Sequence, residues 1–219
     1  RGYAVYREPR SPGAVSARLA AAGVSLARAA TVGAVEEVAD AFTALGVTPV
    51  VLKAGGLLHK SDSGGVVLGL TDAASATAAA AEIVARNGPG AFPLLLQQQV
   101  GGLEMLVGAR RDPQLGAAII VGLGGVATEI HQDVVTMVAP VSPEQAREGL
   151  QELRSWPLLT GFRGGPECDV AALVDTVVAV SRLVADDPTI LELDLNPVMV
   201  SGTGAVAVDA RDLPVSSAH

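Results

Sequence analysis

Between two short apolar runs, TPVVLK (48–53) and VVLGL (66–70), lies a segment, KAGGLLHKSDSGGV (53–66), that no hydrophobic core can absorb. It holds four glycines, two lysines, a histidine, two serines and an aspartate, far more polar chemistry than a connection needs. β-Branched flanks of this length read as buried strands, so the fold must present the segment at the end of a sheet. Glycines there let backbone amides approach an anion, lysines neutralise charge, and hydroxyls donate hydrogen bonds, which together suit phosphate. The Lys60-Ser61 pair behind two glycines approaches a Walker loop. His59, however, stands where that motif needs glycine, and a strand rather than a helix follows, so the motif is rejected.

Composition limits what surrounds this loop. The 219 residues are 49% hydrophobic, enough for one large domain or two small lobes. Apolar runs stop well short of the ~18 residues of a membrane span, and no basic-then-apolar leader opens the sequence. With one cysteine, Cys168, no intramolecular disulfide forms, which fits a reducing compartment. A soluble, cytoplasmic protein is the expectation. Cys168 has no histidine near it in sequence and is expected to be inert. A net charge of −8 and 3% aromatic residues argue against nucleic-acid binding, which needs a basic surface and stacking platforms.

Punctuation residues divide the rest. Ser11 and Pro12 open a helix that Gly23 ends, and a second helix spans 34–45 before Gly46. Asp72 or Thr71 opens an alanine-rich helix over 73–86. Strands are expected near 94–99, 103–110, 116–121 and 134–139. Ser142, Pro143 and Gln145 then form a capping signature for a helix to about Arg154. Residues 155–168 read as loop and 169–185 as an amphipathic helix, followed by strands at 189–200 and 205–210. Short connections between mixed helices and strands favour an α+β architecture over a repeating βα unit.

Two further motifs carry chemistry. IIVGLGGVA (119–127) satisfies the dinucleotide fingerprint through Gly122, Gly124 and Ala127, but TEIHQDVVTMVAP runs into another apolar strand where a helix is required. A glycine loop serving the same anion as the first, or a plain turn, fits better. In ELDLNP (192–197) strand alternation puts Glu192, Asp194 and Asn196 on one face. If VAVDAR (206–211) pairs with this run, Asp209 comes alongside, and the oxygens suit Mg²⁺ or form a solvated hairpin face. Glu104 reads as a nucleotide or metal contact or a solvated strand residue. Arg110, Arg111 and Asp112 could equally aim a cation at phosphate or close a turn.

VVLKAGGLLHKSDSGGVVL, LEMLVGARRDPQLG, VGLGGVATE, LLTGFRGGP and ELDLNPVMV with AVDAR occur in this order over roughly residues 12 to 213. Together they resemble the ATP-grasp domain of NDP-forming acyl-CoA synthetases, in the form of the beta subunit of ADP-forming acetyl-CoA synthetase. The resemblance implies an α+β ATP-grasp fold of two α/β lobes, about 24–97 and 98–213, with 11–23 packing on the second and ATP or ADP in the cleft. It implies phosphate contacts from Lys53 and from the loop of Ser61, Asp62, Gly64 and Gly65. Adenine falls at the hinge of Gln97, Gln98, Gln99 and Val100, with Glu104 helping to hold the nucleotide. Mg²⁺ falls on Asn196 and Asp209 with Asp194 beside them.

His59 matches a histidine that carries phosphate on a swinging loop in that family, although the stretch from Lys53 to His59 is two residues shorter here than in a common form. The implied partners are CoA-binding and phosphohistidine domains, or an alpha subunit, with CoA bound there; a homo-oligomer is compatible with the family. The implied reaction is acyl-CoA + ADP + phosphate to acid + CoA + ATP, and turnover needs those partners. The rival expectations are a catalytically silent nucleotide-sensing region of a fused acyltransferase and an ATP-grasp ligase that uses an acyl phosphate directly.

Overall fold

The computed structural model describes residues 9–55, 64–112, 114, 116–125 and 133–214. In chain order its elements are α1 (Pro12–Ala21), β1 (Ala29–Val32), α2 (Val38–Leu45), β2 (Val50–Ala54), β3 (Val66–Leu70), α3 (Ala73–Asn87), β4 (Leu94–Gln98), β5 (Leu103–Asp112), β6 (Gly116–Leu123), β7 (Val134–Val138), α4 (Pro143–Gln151), α5 (Trp156–Leu159), α6 (Val170–Asp186), β8 (Ile190–Ser201), β9 (Gly204–Ala207) and β10 (Ala210–Pro214). The α+β expectation holds. The chain divides into two compact units, one of Ala27–Val100 and one of the residues up to Leu26 with those from Gly101 onward. Among the described residues no helix is long and apolar enough to cross a membrane.

In the unit Ala27–Val100 an antiparallel sheet runs β1-β4-β2-β3, and α2 and α3 cover one face. The Asp72 carboxylate accepts from the Ser75 amide at 2.7 Å and so starts α3. Ala76, Ala79 and Ala80 make the buried face of α3 small, which lets the helix lie close over Val50, Leu52, Leu94 and Leu96. β1 escapes the sequence pattern because AATV is only four residues long and lacks clear alternation. It is held by its register with β4, from Ala29 opposite Gln97 to Val32 opposite Leu94.

The second unit is built on a six-stranded antiparallel sheet, β10-β8-β5-β6-β7 with β9 also paired to β8. α1, α4 and α6 supply apolar side chains to its core, where Met105, Val107, Ile119, Val121, Leu193 and Leu195 are buried. Ser142 and Gln145 cap α4 reciprocally. α6 buries Leu173, Val177, Val180 and Val184 at helical spacing, and its one fully buried hydroxyl, Ser181, accepts from the Val141 amide at 3.2 Å. Helix α4 stops at Gln151, short of Arg154, and the stretch expected to be loop contains the one-turn α5.

β8 contains the irregularity on which the site depends. Met105 pairs with Val198 and Val107 with Leu195, so Leu106 alone faces both Asn196 and Pro197. Pro197 has no amide hydrogen to give the ladder, and a bulge with one extra residue is where a strand tolerates that. The extra residue reverses parity: Leu193 and Leu195 are buried before it, Val198 and Val200 after it. On the other edge of β8 the expected strand 205–210 divides into β9 and β10 at Val208–Asp209, opposite the same bulge.

β10 carries charge on both faces. Arg211 pairs with Asp194 and is exposed, whereas Asp212 pairs with Leu193, faces the core and is 2% exposed. Arg10 Nη1 and Arg18 Nη1 donate to Asp212 Oδ2 at 2.6 and 3.0 Å, and Arg18 also pairs with Asp187. Oδ1 of Asp212 is buried without a hydrogen-bond partner, so these two guanidinium groups alone balance the charge. Replacing both with Arg10→Ala and Arg18→Ala leaves that carboxylate uncompensated and should cost about 3–5 kcal/mol in urea unfolding. Asp212→Leu should cost clearly less, because the arginines, each about a quarter exposed, can turn to water. Equal losses would show that the packing of the arginine stems matters more than the charge.

Candidate functional site

Each unit assembles part of the expected site. In Ala27–Val100, β2 and β4 lie side by side with Lys53 opposite Leu95 and Val51 opposite Gln97. Lys53 and Gln97 are therefore diagonal neighbours on the face turned away from the buried Leu52 and Leu96, and Lys53 Nζ donates to Gln97 Oε1 at 2.6 Å. Gln97 itself is 6% exposed, so this amide holds the ammonium from a fixed position. Gln98 exchanges bonds with Arg28, and Gln99 Oε1 accepts from the Gly69 amide at 2.7 Å. Those two side chains stitch β4 to its neighbours, and Val100 ends the unit half-buried.

The glycine loop re-enters the description at Gly64 and Gly65. The Gly65 carbonyl accepts from the Ala54 amide at 2.7 Å, closing the base of the loop on β2. Gly64 has φ +65°, a backbone conformation that calls for glycine, and the flexible end of the Arg86 side chain lies over the place a Cβ would take. His59, Ser61 and Asp62 lie outside the described residues.

In the second unit the sheet face opposite α1, α4 and α6 carries the remaining residues. Glu104, Leu106, Gly108 and Arg110 alternate along β5 with the buried Met105, Val107 and Ala109. Across the ladder Gly108 faces Asp194 and Arg110 faces Glu192. A hollow of about 290 Å³ is lined by Leu106, Gly108 and Arg110 of β5, Ile120 of β6, and Glu192, Asp194 and Asn196 of β8. A Cβ on Gly108 would stand 3.8 Å from Asp194 Oδ1, so the missing side chain keeps this space open. Asp209 sits at the break between β9 and β10, where its carbonyl accepts from the Asn196 amide at 3.2 Å. Asn196 thus sits in the bulge, Asp194 two residues before it, and Asp209 across from it, where its carboxylate accepts from the Ala210 amide at 2.9 Å.

Glu104 lies nearer the start of β5, against the second glycine loop. Its carbonyl accepts from the Gly124 amide at 2.7 Å, and its carboxylate occupies the place a Cβ of Gly125 would take.

The electrostatics at the bulge are unrelieved. Burial raises the proton affinity of Asp194, the nearby carboxylates Glu192 and Asp209 raise it further, and Arg211 offsets part of this. Carboxylate and amide oxygens crowded in this way suit a small, hard divalent cation. Among the described residues no group of three or more His, Cys, Asp or Glu side chains is arranged to hold a metal by itself.

Strand parity separates residues that sequence alone leaves together. Arg111 is consumed structurally: its guanidinium donates to the carbonyls of Ile190 and Asp187 at 3.2 Å and to that of Val184. Arg110, one position earlier, points the other way into the hollow. Gly108 was legible only as a glycine inside a strand, the usual sign of a close approach or a space kept free. Cys168 packs beside Val200, with Sγ 3.4 Å from its carbonyl oxygen, and burial pushes the thiol up, in line with an inert role. A larger hollow of about 740 Å³ beside α1 and α6 contains Arg18 and Asp187, which already pair with each other.

The family described as ATP-grasp domain matches residues 8–211. A trans-feruloyl-CoA synthase of an unknown prokaryotic organism is 41% identical over 185 residues, 80% of this chain and 26% of that protein. The beta subunit of ADP-forming acetate–CoA ligase I from Pyrococcus furiosus is 39% identical over 171 residues, 74% of each chain. Among solved structures, the Ca. Korarchaeum cryptofilum dinucleotide-forming acetyl-coenzyme A synthetase 1 superimposes with a TM-score of 0.82 at 32% identity, covering 95% of this chain and 93% of that one. That protein is in complex with coenzyme A and Mg-AMPPCP, with its phosphohistidine segment pointing towards the nucleotide-binding site. The chain thus spans about a quarter of the feruloyl-CoA synthase and most of the separate beta subunit.

The crowding at Asp194 has a measurable consequence. Asp194→Asn removes one of three mutually repelling carboxylates, so without divalent cations the variant should melt higher, by about 0.5–2 kcal/mol, the range typical where a functional site trades against stability. With millimolar Mg²⁺ and nucleotide the advantage should shrink or reverse. A variant less stable under both conditions would show that Asp194 is a structural group.

Proposed function

Because the chain belongs to the ATP-grasp family, in the branch of the ADP-forming acyl-CoA synthetases, we propose that it is the nucleotide-handling part of such a synthetase. In this reading it transfers phosphate between a phosphohistidine and ADP within the conversion of acyl-CoA, ADP and phosphate to acid, CoA and ATP. One observation carries the reading: Asp194 and Asn196 line a hollow beside Gly108 on the sheet face opposite the helices, with Asp209 next to the bulge and close enough to act on the charge of Asp194. An anionic row of this kind is costly unless a cation and its ligand complete it.

The roles are those implied by the family, and the local contacts are compatible with them. Lys53, held by the buried Gln97, presents its ammonium to the nucleotide phosphates and stabilises charge on the group in transfer. The Gln97–Val100 segment offers backbone groups to the adenine, while the side chains of Gln98 and Gln99 keep that backbone in place. Glu104, fixed against Gly124 and Gly125, helps orient the nucleotide. Ser61, Asp62, Gly64 and Gly65 contribute the phosphate loop.

Asn196 and Asp209 hold Mg²⁺ with Asp194 beside them; when bound, that ion neutralises the phosphate oxygens. His59 takes phosphate from a partner domain and passes it to ADP, since neutral imidazole is nucleophilic near its ordinary pKa of about 6.5. The phosphohistidine segment directed at the nucleotide in the Korarchaeum protein supports such a relay. CoA and the acyl group belong to partner domains or an alpha subunit, which accounts for the three quarters of the feruloyl-CoA synthase that the chain does not span.

Thermal melting with Mg·ADP or Mg·ATP tests the core of the proposal. At ligand about 100-fold above its Kd the gain should be about 2.7 kcal/mol, and an unmoved melt with either nucleotide would sink it. His59→Ala should keep this stabilisation and lose phosphate transfer from a phosphorylated partner. Full transfer by the variant would take His59 out of the pathway and leave nucleotide binding intact.

A further inference from the structure

On the nucleotide reading above, on which this inference rests, we propose that Arg110 of β5 grips the terminal phosphate of a nucleoside triphosphate, with Arg211 of β10 balancing charge on the other side of β8. Arg110 is exposed, and among the described residues no hydrogen bond or ion pair engages its guanidinium, even though Glu192 lies directly opposite. An arginine left unpaired beside a carboxylate has its donors available for a ligand. It lines the same hollow as Asp194 and Asn196. The next position on that face toward those residues is Gly108, whose absent side chain leaves room for the guanidinium to lean back along the strand. Two strand residues span about 7 Å, within reach of an extended arginine.

The pattern of charge supports the same end of the ligand. β8 carries Glu192 and Asp194 between two basic neighbours, Arg110 opposite Glu192 on β5 and Arg211 opposite Asp194 on β10. Carboxylate and amide oxygens suit the cation, and flanking guanidinium groups suit the phosphate oxygens that a single divalent ion leaves charged. Six residues, roughly 20 Å, separate Arg110 from Glu104 along β5. A nucleotide oriented by Glu104 at its sugar end and extended along this row reaches Arg110 with its last phosphate. Arg111 cannot serve, because parity turns it toward the carbonyls of Val184, Asp187 and Ile190.

The test is calorimetric titration of the wild-type chain, Arg110→Gln and Arg110→Lys with Mg·AMPPNP, Mg·ADP and AMP. Loss of a charge-assisted contact should weaken Mg·AMPPNP by about 10- to 100-fold in Arg110→Gln, with less than about a 3-fold change for Mg·ADP and none for AMP. Arg110→Lys should recover only part of the loss, because an ammonium lacks the planar fork. All three proteins should melt together, since the side chain is exposed and unpaired. If the wild type binds nucleotide and Arg110→Gln binds Mg·AMPPNP equally well, or loses all three ligands alike, the role of Arg110 is overturned while the nucleotide reading stands. A wild-type chain that binds none of the three overturns both.

Discussion

The bulge at Asn196–Pro197 is the constraint from which the site follows. An antiparallel strand crossing the middle of a sheet normally keeps one parity from end to end, which would bury either the leucines before the proline or the valines after it, but not both sets. One extra residue opposite Leu106 lets β8 bury Leu193 and Leu195 on one side and Val198 and Val200 on the other. The core is satisfied along the whole strand, and Asn196, released from pairing with β5, lines the hollow on the opposite face. The same irregularity divides the neighbouring edge into β9 and β10, and the unpaired Asp209 falls where Asn196 donates to it. Packing and chemistry are solved by one local insertion.

The paired strands β8 and β10 also show two opposite treatments of negative charge within a few residues. Asp212 faces the core and is matched by Arg10 and Arg18, which tie the N-terminal segment and α1 to the last strand. Asp194 faces out, is crowded by Glu192 and Asp209, and has only the partial relief of Arg211. The first arrangement balances its charge within the protein, although one carboxylate oxygen stays without a hydrogen bond. The second is left open, the arrangement a binding site would show, since its electrostatic cost could then be recovered by a ligand.

Local signals in the sequence carried the helices well. Ser11, Asp72 and the Ser142–Gln145 pair cap where a side-chain oxygen can reach a free amide, a relation confined to four residues and so visible in one dimension. Alternation likewise placed Glu192, Asp194 and Asn196 on one face. The features that stayed hidden depend on partners distant in the chain. β1 is a strand only because β4 lies beside it, the split of 205–210 answers a proline on another strand, and the contrast between Arg110 and Arg111 is decided by which face of β5 the helices cover. Gly108 had a local signal, a glycine in an apolar strand, but its meaning required knowing that Asp194 lies across the ladder.

The division of labour along the chain also bears on why the acyl group does not write itself into these residues. The chain is similar both to a feruloyl-CoA synthase and to an acetate–CoA ligase subunit, whose named substrates differ greatly in size. If, as proposed, the chain handles only phosphate and nucleotide, it meets the same charge distribution in either case, and selection on the acyl pocket need not reach it. The polar features of this chain, a lysine held by a buried glutamine, a row of oxygens along β8 and an arginine beside it, would all answer to phosphate charge. On the function proposed above, specificity for the acid belongs to whatever surface passes the phosphate on, and a domain of this kind needs to recognise only the phosphorylated group that reaches it.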